Sequence, residues 1–170
     1  MLFRSGSFRL EHTRVWFVSF DAEESGLRGS RAFVARHLDE LTAHPAELFN
    51  VDAVYELKDL RFLVSDVNGT VPLSDRLARE FVELAARLGF SARTLAMPMG
   101  AGATDAGEFG RRGIRATTLI AMSSKLFPPR GFPYHTLRDT LDAVKPEAIA
   151  AMLEVLWAAL VRREEPDATP

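Results

Sequence analysis

Residues 14–34 read RVWFVSFDAEESGLRGSRAFV. The first half is β-branched and aromatic: Val15, Trp16, Phe17, Val18 and Phe20. It has too few polar gaps for a half-exposed strand and suits a strand covered on both faces. The run stops at carboxylates, Asp21, Glu23 and Glu24, and Ser25-Gly26 then turns the chain. Gly29 allows close packing, and a helical spacing begins near Ser30 with Phe33, Val34, His37, Leu38 and Leu41. Acids at the carboxyl end of a buried strand stand where open α/β sheets place their sites. Neighbouring side chains point in different directions there. Glu23 and Glu24 can therefore serve two centres, such as one metal and one water. Taken alone, a Glu-Glu pair is more often a solvated turn in which one acid caps the helix.

Outward from this stretch, strands and helices alternate. His44-Pro45 breaks the first helix, and Glu47–Tyr55 reads as a short strand with Asp52 near its end. Arg61–Val67 is a second strand, closed by the Asn68-Gly69 turn. Ser74 is a good N-cap for a helix with Leu77, Phe81, Leu84, Ala85 and Leu88 on one stripe, ended by Gly89. Phe90–Met97 and Ile114–Met122 read as strands, with a Gly-rich loop and a short helix between them. A long loop follows, and Lys145-Pro146 opens the last helix. Its expected apolar stripe is Ile149, Met152, Leu153, Leu156, Trp157 and Leu160. The order predicts an α/β three-layer sandwich, a mostly parallel mixed sheet flanked by helices.

The 170 residues suit one domain with a single core. We divide them into a stub (1–13), the α/β domain (14–162) and a polar tail (163–170). A net charge of -2 gives no reason to expect a nucleic-acid partner. Cysteine is absent, which removes disulfides and thiolate metal sites. No apolar run reaches membrane-spanning length, so no membrane partner is expected. MLFRSGSFRL lacks the apolar core of a signal peptide. The chain as written is expected in the cytoplasm. It would be secreted or periplasmic if a longer amino end carried a signal.

Other residues are candidates only through their surroundings. Asp52 alone reads as a turn or cap residue, and His135 alone as an exposed loop histidine. Yet Phe17, Phe20, Glu23, Glu24, Gly26, Leu27, Gly29 and Ser30 follow a dense pattern, F-x-x-F-x-x-E-E-x-G-L-x-G-S. This resembles the zinc-dependent aminopeptidase family, of the bacterial leucyl aminopeptidase and glutamate carboxypeptidase type. The resemblance implies that Glu23 is the general base on a metal-bound water and Glu24 a zinc ligand. Asn50-Val51-Asp52 is similar to the family's N-x-D strand, which implies a ligand role for Asp52. Tyr134, His135, Thr136, Asp139 and Thr140 match its Y-H-T-x-x-D-T segment, which implies zinc ligation by His135. Asp139 would hold the His loop or cap a following turn. Asp105, Phe109, Gly113, Ile114 and Ala116 match a loop flanking the family's active site. The family's His after that Asp is Ala106 here, and its Pro is Arg115. Asp105 and Tyr134 are thus expected on the substrate side. His12, His37 and His44 match no motif and are expected at the surface.

The resemblance covers residues 14 to about 160, and two of the family's segments have no counterpart. One carries a His ligand in H-x-D-S, the other a metal-bridging Asp in D-D-N-x-S-G. The thirteen residues before Arg14 hold one His and no Asp. A catalytic zinc takes three protein ligands plus water, and neither family metal keeps three here. The resemblance therefore implies an N-terminally truncated, zinc-peptidase-like domain. Its expected function is peptide-bond hydrolysis, as an aminopeptidase, with zinc bound weakly or partially and the isolated chain inactive or incomplete. A sheet edge should be left uncovered, which invites a homo-oligomer or pairing with the missing segment. Two other functions stay open: a non-catalytic peptidase-like binding or assembly module, and an acyl-transfer enzyme of the glutaminyl cyclase kind on the same fold.

Overall fold

The computed structural model describes residues 10–122 and 134–164. The elements run α1 (Arg28–Ala43), β1 (Glu47–Val54), β2 (Leu60–Asp66), β3 (Val71–Pro72), α2 (Asp75–Arg87), β4 (Arg93–Ala96), α3 (Ala106–Gly110), β5 (Arg115–Ala121) and α4 (Pro146–Glu164). The strands form one mixed sheet. β1 and β5 are parallel, as are β2 and β4, whereas β2 is antiparallel to both β5 and β3. Phe62 faces Thr94 on one flank and Leu119 on the other, so β4 and β5 sandwich β2. Ser65 faces Ala96 and Pro72, which puts β3 on the flank that β5 has left.

The two sheet faces alternate along β2. Leu60 and Phe62 join Leu119 and Ala121 against α2 and α4. Leu63 joins Ala116 on the opposite face with Val34 of α1 and Phe109 of α3. The result is the expected three-layer sandwich. α2 follows its sequence pattern: the Ser74 hydroxyl accepts the Leu77 N–H at 3.2 Å, and Leu77, Phe81 and Leu84 are buried. Gly89, at φ +85°, ends it. Among the described residues, no helix is long and apolar enough to cross a membrane.

The run Val15–Phe20 departs from expectation. It forms no strand, and Phe17 is 95% exposed, with Trp16 at 38% and Val18 at 43%. The run packs sideways on α1 instead. Trp16 meets Phe33 and His37 edge-on at 5.8 and 5.3 Å, and Phe20 meets Phe33 at 5.5 Å and Phe109 at 6.0 Å. One side of the run thus finds aromatic neighbours, and the other finds no ladder to join among the described residues. His37, expected at the surface, is half-buried in this aromatic group. The segment's ends are nevertheless fixed at opposite ends of β1. The His12 N–H reaches Glu164 at 2.8 Å, and the adjacent Arg163 pairs with Glu47, the first residue of β1, at 2.6 Å. Glu23 comes close enough to Asp52, late in β1, for their charges to interact. The outer edge of β1 has no ladder partner among the described residues.

α4 also differs. Its buried face is Ala148, Ala151, Val155 and Ala159, while Leu153 and Trp157 of the expected stripe are exposed and the other four half-buried. The helix is apolar on most sides, so periodicity does not select a face. Small side chains let it seat against the core, and the bulky ones flank the contact. Arg163 and Glu164, read from sequence as the start of the tail, are its last turn.

Candidate metal and catalytic site

The turn after Asp21 is built from backbone. The Gly26 and Leu27 N–H groups donate to the Glu23 carbonyl at 3.0 and 2.8 Å, and Gly29 N–H donates to the Asp21 carbonyl at 3.1 Å. A Cβ on Gly29 would lie 2.4 Å from that carbonyl oxygen, so only glycine lets the first turn of α1 close on the acids. α1 begins without a side-chain cap, which removes helix capping as the reason for these acids.

Asp52 sits at a break in the β1–β5 register between Val51 and Val54, and Ala53 has a left-handed φ of 48°. Such a bulge re-aims a side chain at a strand end. Ala22 and His135 are left-handed as well, at φ 51° and 58°. Three candidate residues therefore adjoin or occupy strained backbone, a condition that persists only where surroundings enforce it.

The described loop Tyr134–Thr140 brings His135 to the acids: its Nε2 lies 2.7 Å from Glu24 Oε1. Tyr134 stacks on the imidazole at a centroid distance of 3.8 Å. Tyr55, buried after β1, donates its hydroxyl to Asp139 Oδ1 at 2.9 Å and so ties the His loop to the sheet.

The electrostatics show how tightly the acids are gathered. Burial pushes the Glu23 carboxyl up to about 7, with Asp52, Glu24 and Asp105 adding to the rise and His135 opposing it. Asp52 is raised by burial, then by Asp105 and Asp66. Asp105 is raised by burial; the Ser30 hydroxyl opposes this, and Asp66 and Glu108 reinforce it. Its Oδ1 is buried without a hydrogen-bond partner among the described residues. Carboxylates whose charged forms are disfavoured by burial and by one another suit a cation. Yet no three His, Asp or Glu side chains among the described residues are placed to hold a metal ion. Glu24 and His135 supply two donors, turned on each other, and the described residues do not make a zinc site by themselves.

Sequence reasoning missed the support beneath the site. Asp66 is fully buried and accepts the Thr104 N–H at 2.9 Å and the Thr104 hydroxyl at 2.6 Å. Thr104 Oγ1 lies 2.7 Å from Thr118 Oγ1, which Asn50 reaches at 3.3 Å. This chain of contacts joins the Asp105 loop to the strand that carries Asp52. A lone Asp closing an apolar strand was its only sequence signal.

A family model, Peptidase family M28, matches residues 2–160. This chain belongs to peptidase family M28. The zinc aminopeptidase BSAP from Bacillus subtilis is similar over 85% of the chain, at 25% identity and a TM-score of 0.61. The Legionella pneumophila LapA aminopeptidase aligns over 85% of the chain at 17% identity and 0.65, and the dodecamer PhTET1-12s over 80% at 17% and 0.54. The last two share the fold alone. The M28 chain spans 34%, 37% and 38% of these three proteins' lengths. No curated protein matches it.

Proposed function

We propose that this M28 chain serves peptide hydrolysis of the aminopeptidase type, with Glu23 as general base. The observation that carries this is the meeting of Glu24 and His135 beside a half-buried Glu23 whose carboxyl sits near 7. A base poised near the working pH can take a proton and return it. Glu23 would remove the proton of a water whose oxygen bonds to the substrate carbonyl carbon. It would then pass that proton to the leaving nitrogen as the C–N bond breaks. Asp52, Glu24 and Asp105 form the negative surround that favours a substrate's free ammonium end.

Zinc enters this reading through family membership. Glu24, His135 and Asp52 are the residues to hold it, and completing a site takes a donor from outside the described residues. The isolated chain should therefore bind zinc weakly and turn over little substrate. A second copy or another polypeptide on the open edge of β1 could supply the donor, and PhTET1-12s shows that the fold occurs in a large assembly. The test is calorimetric titration with zinc, alongside hydrolysis of amino-acid anilides by the wild type and Glu23→Gln. Zinc-dependent turnover that survives Glu23→Gln would refute the role of Glu23. Tight binding of two zinc ions by a monomer would refute the incomplete donor set.

A further inference from the structure

An open groove of about 630 Å³ lies beside α3. Arg31, Arg111, Arg112 and Glu108 line it, together with Thr70 and Gly110. Three guanidinium groups against one carboxylate leave two positive charges, in a chain whose net charge is -2. Glu108 is nearly buried and holds two of them in place: its Oε1 lies 3.0 Å from Arg31 Nη2 and 3.7 Å from Arg111 Nε. Arg31 is fixed a second time by the Gly26 carbonyl at 3.1 Å. Arg112 is exposed and makes no ion pair with a described residue. One carboxylate thus orients a pair of guanidiniums, and a third points into the same concavity uncommitted. Planar guanidinium forks match the paired oxygens of carboxylate and phosphate.

We propose that this groove binds an oxyanion, a phosphate or a carboxylate, held by Arg112 and Arg111 with Arg31 behind them. α3 separates it from the acids: Asp105 precedes the helix and Arg111 follows it. Five residues of helix rise about 7.5 Å. An extended peptide covers about 3.3 Å per residue, so a tripeptide is longer than that rise and serves as the peptide probe. That peptide arm rests on the function proposed above; the phosphate arm does not.

The experiment titrates the purified chain with inorganic phosphate, Ala-Ala-Ala and Ala-Ala-Ala-amide, each against sodium chloride of equal ionic strength. Amide ¹H–¹⁵N shifts of Gly110–Gly113 report occupancy. Saturable phosphate binding is expected, weakened roughly tenfold or more by Arg112→Glu, the loss of a charge-assisted contact. Arg76→Glu on α2 should leave it unchanged. Tripeptide binding that is lost on amidation would identify a peptide carboxylate as the ligand. Phosphate binding with no preference between the peptides would leave the groove to free phosphate and remove the peptide arm only. Shifts reproduced by sodium chloride, or unaltered in a folded Arg112→Glu variant, would overturn the proposal.

Discussion

Leu60–Leu63, apolar but for Arg61, and Trp16–Val18 meet opposite fates. Leu60, Phe62 and Leu63 of β2 have no exposed surface, whereas Phe17 is almost fully exposed. Chemistry does not distinguish them; neighbours do. β2 has ladder partners on both edges and helices on both faces, while the 14–20 segment packs on α1 and on Phe109 of α3 and joins no ladder among the described residues. An apolar run is buried when its partners are present, and the site residues of this chain lie where the two conditions meet. Glu23 and Glu24 end the segment without a ladder, and Asp52 ends a strand with one free edge.

The largest expected effect tests the buried side. Phe62 stacks on Phe81 at 5.5 Å and meets Phe49 at a tilt at 6.2 Å. Phe62→Ala should cost about 3–5 kcal/mol in urea unfolding, whereas Phe17→Ala should stay within about 0.5 kcal/mol. Equal losses would erase the distinction between the runs.

Next comes the support beneath the site. Asp66→Ala leaves the Thr104 amide and hydroxyl without their charged acceptor in a buried place. The expected loss is about 2–3 kcal/mol. A loss near zero would mean that the Asp105 loop holds its place without this network.

How far the sequence spoke follows the same division. α2, with its Ser74 cap, Leu77–Phe81–Leu84 stripe and terminal Gly89, was fully legible because cap, period and stop agree locally. The Glu23-Glu24 turn, Asp52 and the His135 segment were legible as motifs, and the fold brings Glu24 and His135 together. The Val15–Phe20 strand was misread because a strand's burial depends on edges that no local pattern encodes. The α4 stripe was misread because a helix apolar on most sides has no preferred phase. Tyr55, Asp66 and Thr104 were illegible because their partners lie 84, 38 and 14 residues away.

A smaller effect concerns the anchor of the segment. Burial pushes the Glu164 carboxyl up, but the Glu11 and His12 backbone N–H groups and the Thr13 hydroxyl outweigh it, so the group lies below its ordinary value of 4.5. A carboxyl depressed in the folded state stabilises above its unfolded value and loses that contribution as pH falls through the folded one. Wild type should therefore lose stability as pH falls from above to below the ordinary value of 4.5, while Glu164→Gln starts lower and varies less. Parallel curves would show that Glu164 does not carry the anchor.

The smallest expected change in stability accompanies the most informative change in assembly. Phe17 stands almost fully in solvent, and Val51 is 40% exposed on β1, whose outer edge has no ladder partner among the described residues. The segment ends at either end of β1, so both belong to the flank where the sheet stops. A free edge beside an exposed aromatic favours association, because another chain can satisfy the ladder and cover the ring together. Phe17→Ser removes the ring and leaves the edge. Stability of the folded chain should move by less than about 0.5 kcal/mol, since the ring contributes little to the core. Sedimentation velocity should show the wild type associating with rising concentration and Phe17→Ser shifted toward monomer. If both sediment alike as monomers, the exposed flank is not an interface. A donor completing the Glu24–His135 pair would then have to reach the site by another route.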